Sequence, residues 1–224
     1  MAFVVQDMPP QIGAALLDKC RRVETATIGH RRHMGFVDRR IQSVLPNRRI
    51  AGTAVTLALP GQDSTLLHHI VQFLRPGDVL MIDRLGDDKH ACVGGGVAVA
   101  IRRTGCDGVV IDGPCTDIPE IEQYDLPVWC RGPSPITTRL YGIGGSFNVP
   151  ICCGGAVVNP GDAVVADFSG VLVMPPAEAE ADVDWALEKM ASEPDAHKSL
   201  IDGELLGERS GASGIVAEKT GSEG

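Results

Sequence analysis

Gly94-Gly95-Gly96-Val97-Ala98 sets three glycines ahead of small residues that continue through Val99-Ala100-Ile101 to Arg102-Arg103-Thr104-Gly105. Read as a short helix closed by a glycine C-cap, the segment presents main-chain N–H groups without helical partners at its start, where the helix dipole favours negative charge. Its chemistry would be the grip of an anion. The same glycines would equally serve close packing of a helix on a strand. Asp117 lies just past the next strand, Gly108-Val109-Val110-Ile111-Asp112, so a right-handed crossover returns it to the same sheet edge. A carboxylate so placed can hold Mg²⁺ through retained waters. Glu120, three residues on, shares a helical face with Asp117 if the turn has begun. The two acids can organise a hydrated metal, or merely complement a helix dipole.

Other ligand-type residues carry less. His68 and His69 are adjacent, so on a helix they face different sides and cannot chelate together. The seven cysteines include no C-x-x-C pair and sit mostly among apolar residues, as buried free thiols do, which argues against zinc. His90, just ahead of the glycine loop, has the pKa range of an acid/base group, although a lone histidine in a polar turn also serves structurally.

The elements that must position these groups alternate between strand and helix. Ile12 to Val23 has helical spacing after Pro9-Pro10; Thr53–Leu59 is an apolar run ended by Pro60-Gly61; Leu66 to Leu74 repeats as a helix that Asp63 or Ser64 can cap. Strands follow at Val79–Asp83 and Gly108–Asp112, then a short acidic helix after Asp117 and a strand around Pro127-Val128-Trp129. A glycine loop at 142–145 leads to one strand at Val149–Val158, a second at Ala163–Asp167 and a third at Gly170–Met174, before Pro175-Pro176 starts a helix. Such units favour an α/β sheet covered by helices, with ligands at strand ends. The basic stretch within 24–49, holding His30-Arg31-Arg32-His33, reads as a solvated face or subunit contact, or as cations offered to a neighbouring chain's site. Residues 1–206 are expected to form one domain, and 207–224, rich in Gly, Ser and Glu, a frayed or disordered tail.

With 224 residues, 44% of them hydrophobic and only 4% aromatic, the core must be filled by Val, Ile, Leu and Ala. A formal charge of −9 disfavours nucleic acid and anionic lipid, which bind through Lys and Arg. The chain start lacks a signal peptide's pattern and no apolar stretch reaches membrane-helix length, so a cytoplasmic protein without membrane or nucleic-acid partners is expected.

Taken in order, Gly52-Thr53-Ala54-Val55-Thr56, Arg75-Pro76-Gly77-Asp78-Val79-Leu80, Gly94–Ala98, Gly108–Gly113, Pro127-Val128-Trp129, Asn148-Val149-Pro150 and Pro160–Asp167 resemble the RraA-like / 4-hydroxy-4-methyl-2-oxoglutarate aldolase family. The resemblance implies a swivelling-type β/β/α domain with mixed sheets flanked by helices, homotrimers or hexamers, and sites between subunits. It also implies Mg²⁺- or Mn²⁺-dependent cleavage of small dicarboxylic 2-oxo acids to pyruvate, or decarboxylation of oxaloacetate. Asp117 matches the family's metal-associated Asp and Glu120 its following acid, while Gly94, Gly95, Gly96, Val97 and Thr116 fall where substrate would bind. Thr116 stands where the family has Arg. A hydroxyl carries no charge, so another cation must act, or the substrate differs, or the aldolase is poor. Arg131 is the favoured replacement, unless it merely pairs with a surface acid; Arg139, Arg102, Arg103 and the His30–His33 group are further candidates. The family's name-giving member binds and inhibits a ribonuclease, which leaves a protein-binding regulator as the alternative.

Overall fold

The computed structural model describes residues 2–221. Its strands are β1 (Phe3–Val5), β2 (Gln42–Ser43), β3 (Ile50–Ala58), β4 (Asp78–Asp83), β5 (Gly108–Asp112), β6 (Val128–Cys130), β7 (Gly145–Phe147), β8 (Ile151–Cys153), β9 (Ala156–Val158), β10 (Ala163–Ala166) and β11 (Val171–Met174). The main sheet runs β1-β7-β3-β4-β5-β6-β2, with β10 joining β3 and β11 joining β10. β3 to β6 are mutually parallel, whereas β10 pairs antiparallel with the start of β3 and β7 with its end. β8 and β9 form a separate hairpin. This is the mixed α/β architecture expected.

The side-chain alternation of a strand divides the interior. Leu57, Leu80, Ile82, Val109 and Ile111 point to one face, which is covered by α3 (Thr65–Ile70), α4 (Gly95–Arg103) and α5 (Ile118–Gln123). Ala54, Ala58, Val79, Met81, Val110 and Trp129 point to the other, towards the β8–β9 hairpin. Around β10 and β11 a third cluster joins α1 (Ala14–Cys20), α2 (Thr25–Gly29) and α6 (Pro176–Ile201). Because β3 to β6 are parallel, their C-terminal ends share one edge, and the loops beginning at 59, 84, 113 and 131 all emerge there.

The basic stretch is largely consumed within the fold. Arg31 and Arg32 pair with Asp182, Arg32 also with Glu178, Arg49 with Glu24, and Arg48 with Asp125. In the described part of the tail the chain forms α7 (Leu206–Arg209) and α8 (Ala212–Thr220), with no buried residue in either. Residues 222–224 of that tail lie outside the described residues. β1 and the one-turn α2 are too short to carry a sequence periodicity; no described helix is long and apolar enough to cross a membrane.

Candidate active site

Two loops from adjacent strand ends are laced together. The Thr116 N–H donates to the Val93 carbonyl at 2.9 Å, and the Gly95 N–H donates to Asp117 Oδ2 at 3.0 Å. Gly94, the N-cap of α4, has no side chain with which to cap, so the Gly95 N–H takes its carboxylate from 22 residues further on. Asp117 itself is held at φ +53°, a left-handed conformation that non-glycine residues adopt at a cost and that aspartate tolerates better than most. The Thr116 hydroxyl donates to Asp117 Oδ1 at 3.2 Å. Each carboxylate oxygen thus has one protein donor and a lone pair to spare.

The glycines are required by this approach. A Cβ on Gly94 would stand 2.5 Å from Asp117 Oδ2, and one on Gly95 would stand 1.5 Å from Glu120 Oε2. Both acids therefore lie over the first turn of α4. The amides of Gly96 and Val97 have no acceptor among the described residues, whereas Ala98 already donates to the Gly94 carbonyl. Gly94–Val97, Thr116, Asp117 and Glu120 are thus brought together, with Asp117 capping the first turn of α4.

These residues, apart from Glu120, form one wall of a cleft of about 780 Å³. Its other walls come from α3 and the 3-10 turn that follows it, Val71–Phe73, and from the segment 137–140, including His68, Gln72, Thr138 and Arg139. The path of that last segment is set by Asp63, fully buried at the start of α3. Asp63 Oδ1 accepts the N–H of Thr65 and of Tyr141 at 3.0 Å each, and Oδ2 accepts that of Ile143 at 2.7 Å. Burial pushes the Asp63 pKa up, but these bonds and the Thr65 hydroxyl outweigh it and hold the pKa down at about 2. Asp63 was legible only as a helix cap; nothing local signals its grip on a loop nearly 80 residues away.

Arg131 is not among the residues lining the cleft. Its Nε donates to Asp112 Oδ1 at 2.5 Å and its Nη1 lies 3.4 Å from Asp38 Oδ2, while Asp112 Oδ2 accepts the Gly154 N–H at 2.7 Å. It ties the ends of β5 and β6 to the β8–β9 hairpin. His90 is likewise outside the cleft lining, its Nδ1 2.8 Å from Asp87 Oδ2. Arg102 faces Asp125, 4.0 Å away, and the His30–His33 segment packs at α6. Of the candidate cations, the structure brings Arg103 and Arg139 to the cleft. His68 lines it alone, while His69 meets the Phe73 ring edge-on. All seven cysteines are free, and all but Cys152 are buried.

A divalent ion is tested by this donor set. Asp117, Glu120 and the Thr116 hydroxyl are hard oxygen donors, suited to Mg²⁺ or Mn²⁺ that keeps most of its waters. Among the described residues no three His, Cys, Asp or Glu side chains gather to hold a metal directly, so a cage of the zinc type does not fit.

A family model, RraA-like (Aldolase/RraA), matches residues 14–173. A Halalkalibacterium halodurans protein, provisionally named 4-hydroxy-4-methyl-2-oxoglutarate aldolase, is 32% identical over 162 residues, 72% of this chain and 77% of its own length. The crystal structure of Streptomyces coelicolor RraAS2, described as an unusual member of the RNase ES inhibitor RraA family, aligns with a TM-score of 0.75 at 27% identity, over 86% of this chain and 98% of that one. A Pseudomonas syringae protein shares the fold, with a TM-score of 0.74 at 23% identity over 91% of this chain and 95% of its own.

Proposed function

This chain belongs to the RraA-like family, and from that premise we propose that it is a divalent-metal-dependent carbon–carbon lyase. It would act on a small dicarboxylic 2-oxo acid, releasing pyruvate by aldol cleavage of 4-hydroxy-4-methyl-2-oxoglutarate-type substrates, by decarboxylation of oxaloacetate, or by both. The observation that carries the reading is the lacing of Asp117 to the first turn of α4, which sets a carboxylate beside two unpaired amides in a cleft.

In this scheme the N–H groups of Gly96 and Val97 donate to the substrate's 2-oxo carboxylate, at the positive end of the helix dipole. That anchor turns the adjacent carbonyl towards Asp117 and Glu120, which would hold Mg²⁺ or Mn²⁺ through water. When bound, the ion supplies Lewis-acid stabilisation of the negative charge that gathers on the oxo group as the C–C bond breaks. Thr116 keeps Asp117 Oδ1 oriented without adding charge. Val71, Val97, Ala100 and Leu140 give the cleft apolar walls that limit water around the bond being broken. Asp117 and Glu120 are exposed in the single chain, which suits a homotrimer or hexamer in which a neighbour covers them.

The test follows pyruvate release from oxaloacetate and from hydroxy-oxo diacids, with and without Mg²⁺. Metal-stimulated turnover that falls about a hundredfold in Asp117→Ala supports the lyase; turnover indifferent to both metal and the substitution removes it. The second reading, a protein-binding regulator, draws on the structural likeness to RraAS2. A stoichiometric protein partner together with an inert cleft would establish it instead.

A further inference from the structure

Opposite the glycine turn, the cleft carries two cations that the scheme above does not use. Asp117 is the one carboxylate among the described residues lining it, against Arg103 and Arg139. The chain as a whole is acidic, at −9, and many of its arginines are bound to acids. Arg103 and Arg139, by contrast, have no carboxylate within 4.0 Å among the described residues. The nearest side-chain partner of Arg139 is the Thr137 hydroxyl, 3.4 Å from Nη1.

Their main chains are held in place even though no acid among the described residues holds their side chains. The main chain of Arg139 is pinned on both sides: its N–H donates to Gln62 at 2.8 Å and its carbonyl accepts from Ser64 at 2.9 Å. Arg103 stands on the same face of α4 as Gly96 and Ala100, seven residues beyond Gly96. That is about 10 Å along the axis, a gap that an arginine side chain shortens to roughly the length of a five- or six-carbon diacid. The cleft volume of about 780 Å³ far exceeds what pyruvate alone would fill.

We propose that Arg103 and Arg139 form a second anion clamp which receives the carboxylate distal to the one seated on Gly96 and Val97, so that this chain selects diacids. The assignment rests on reading the cleft as an oxo-acid site. It answers the loss of charge at Thr116 by placing the cations at the far end of the ligand, where they recognise the substrate rather than the reacting oxygen. Specificity would then sit in two residues on separate elements, the end of α4 and the Asp63-wired loop.

Titration calorimetry with Mg²⁺ present, using pyruvate and the uncleavable diacid 2-oxoglutarate, tests the clamp. The wild type should prefer 2-oxoglutarate. Arg139→Gln should weaken 2-oxoglutarate about tenfold and pyruvate less than about twofold, the double variant with Arg103→Gln should erase the preference, and Arg139→Lys should restore part of it. Both positions are exposed, so the fold tolerates these changes. Equal weakening of both acids, no effect on either, or no binding of either by the wild type would overturn the clamp. Metal-stimulated pyruvate release alongside an Arg-independent affinity would keep the lyase and discard the clamp. An Arg-dependent diacid preference without turnover would keep the clamp and discard the lyase.

Discussion

Gly94→Ala isolates the contact on which the site is built. The residue has φ −134° and ψ −168°, an extended conformation open to alanine, so the substitution carries no backbone strain. Its cost comes from what the new methyl meets: Asp117 Oδ2 at 2.5 Å and the Thr116 methyl at 2.8 Å. Asp117 must withdraw, and its bond to the Gly95 N–H is lost. A hydrogen bond to a charged group contributes about 1.5–3 kcal/mol, and the exposure of Asp117 places this one at the lower end. Replacing glycine returns about 0.4–1 kcal/mol through the unfolded chain, leaving a net loss of about 1 kcal/mol. In an Asp117→Ala background the carboxylate is gone and only the Thr116 methyl, at 2.8 Å, must turn aside, so the same substitution should cost clearly less. Urea denaturation of the four proteins closes the double-mutant cycle. Equal costs of Gly94→Ala in the two backgrounds would refute the claim that Asp117 is what the glycine accommodates.

Three further outcomes follow from the same contacts. Asp63 has a folded pKa of about 2 against an ordinary 3.8, so it contributes about 2 kcal/mol that is present above pH 4 and lost as the pH falls through 2; Asp63→Asn should flatten stability over that window, and an unchanged acid limb would contradict the assignment. Arg131→Met should lower stability by about 1–3 kcal/mol through the freed Asp112 while leaving the KM for oxo acids unchanged, as enzyme assays and urea titration would show; a large rise in KM would return Arg131 to the site. Thr116→Arg should raise aldol cleavage by about one to two powers of ten, measured as pyruvate release, and no gain would mean that this position no longer serves the reaction.

Much of the architecture could be read from residue order because apolar runs such as Thr53–Leu59 and Val79–Ile82 are bounded by Pro-Gly turns. The juxtaposition of Gly94–Val97 with Asp117 was also readable, since a crossover between adjacent parallel strands leaves little choice of edge. The remaining contacts are hidden from residue order for definable reasons. Arg131 follows Trp129, which pairs with Val110 across β5 and β6. The register therefore sets Arg131 opposite Asp112, a partner visible only once the strands are aligned. Arg139 was one candidate among several because residues 131–144 have no periodicity, and their course depends on Asp63, buried and distant in sequence. β1 is only three residues long and half-exposed, too short for an alternation to register. The described part of the tail took up helices that bury nothing, which a search for packing faces would miss.

A crystal structure of the protein with Mg²⁺ and oxalate, a two-carbon mimic of pyruvate enolate, tests the central claim most directly. The account places one oxalate carboxylate on the amides of Gly96 and Val97, with the hydrated ion between the ligand and the side chains of Asp117 and Glu120. Oxalate or ion bound elsewhere, with Asp117 engaged only by Gly95 and Thr116, would reduce that carboxylate to a helix cap.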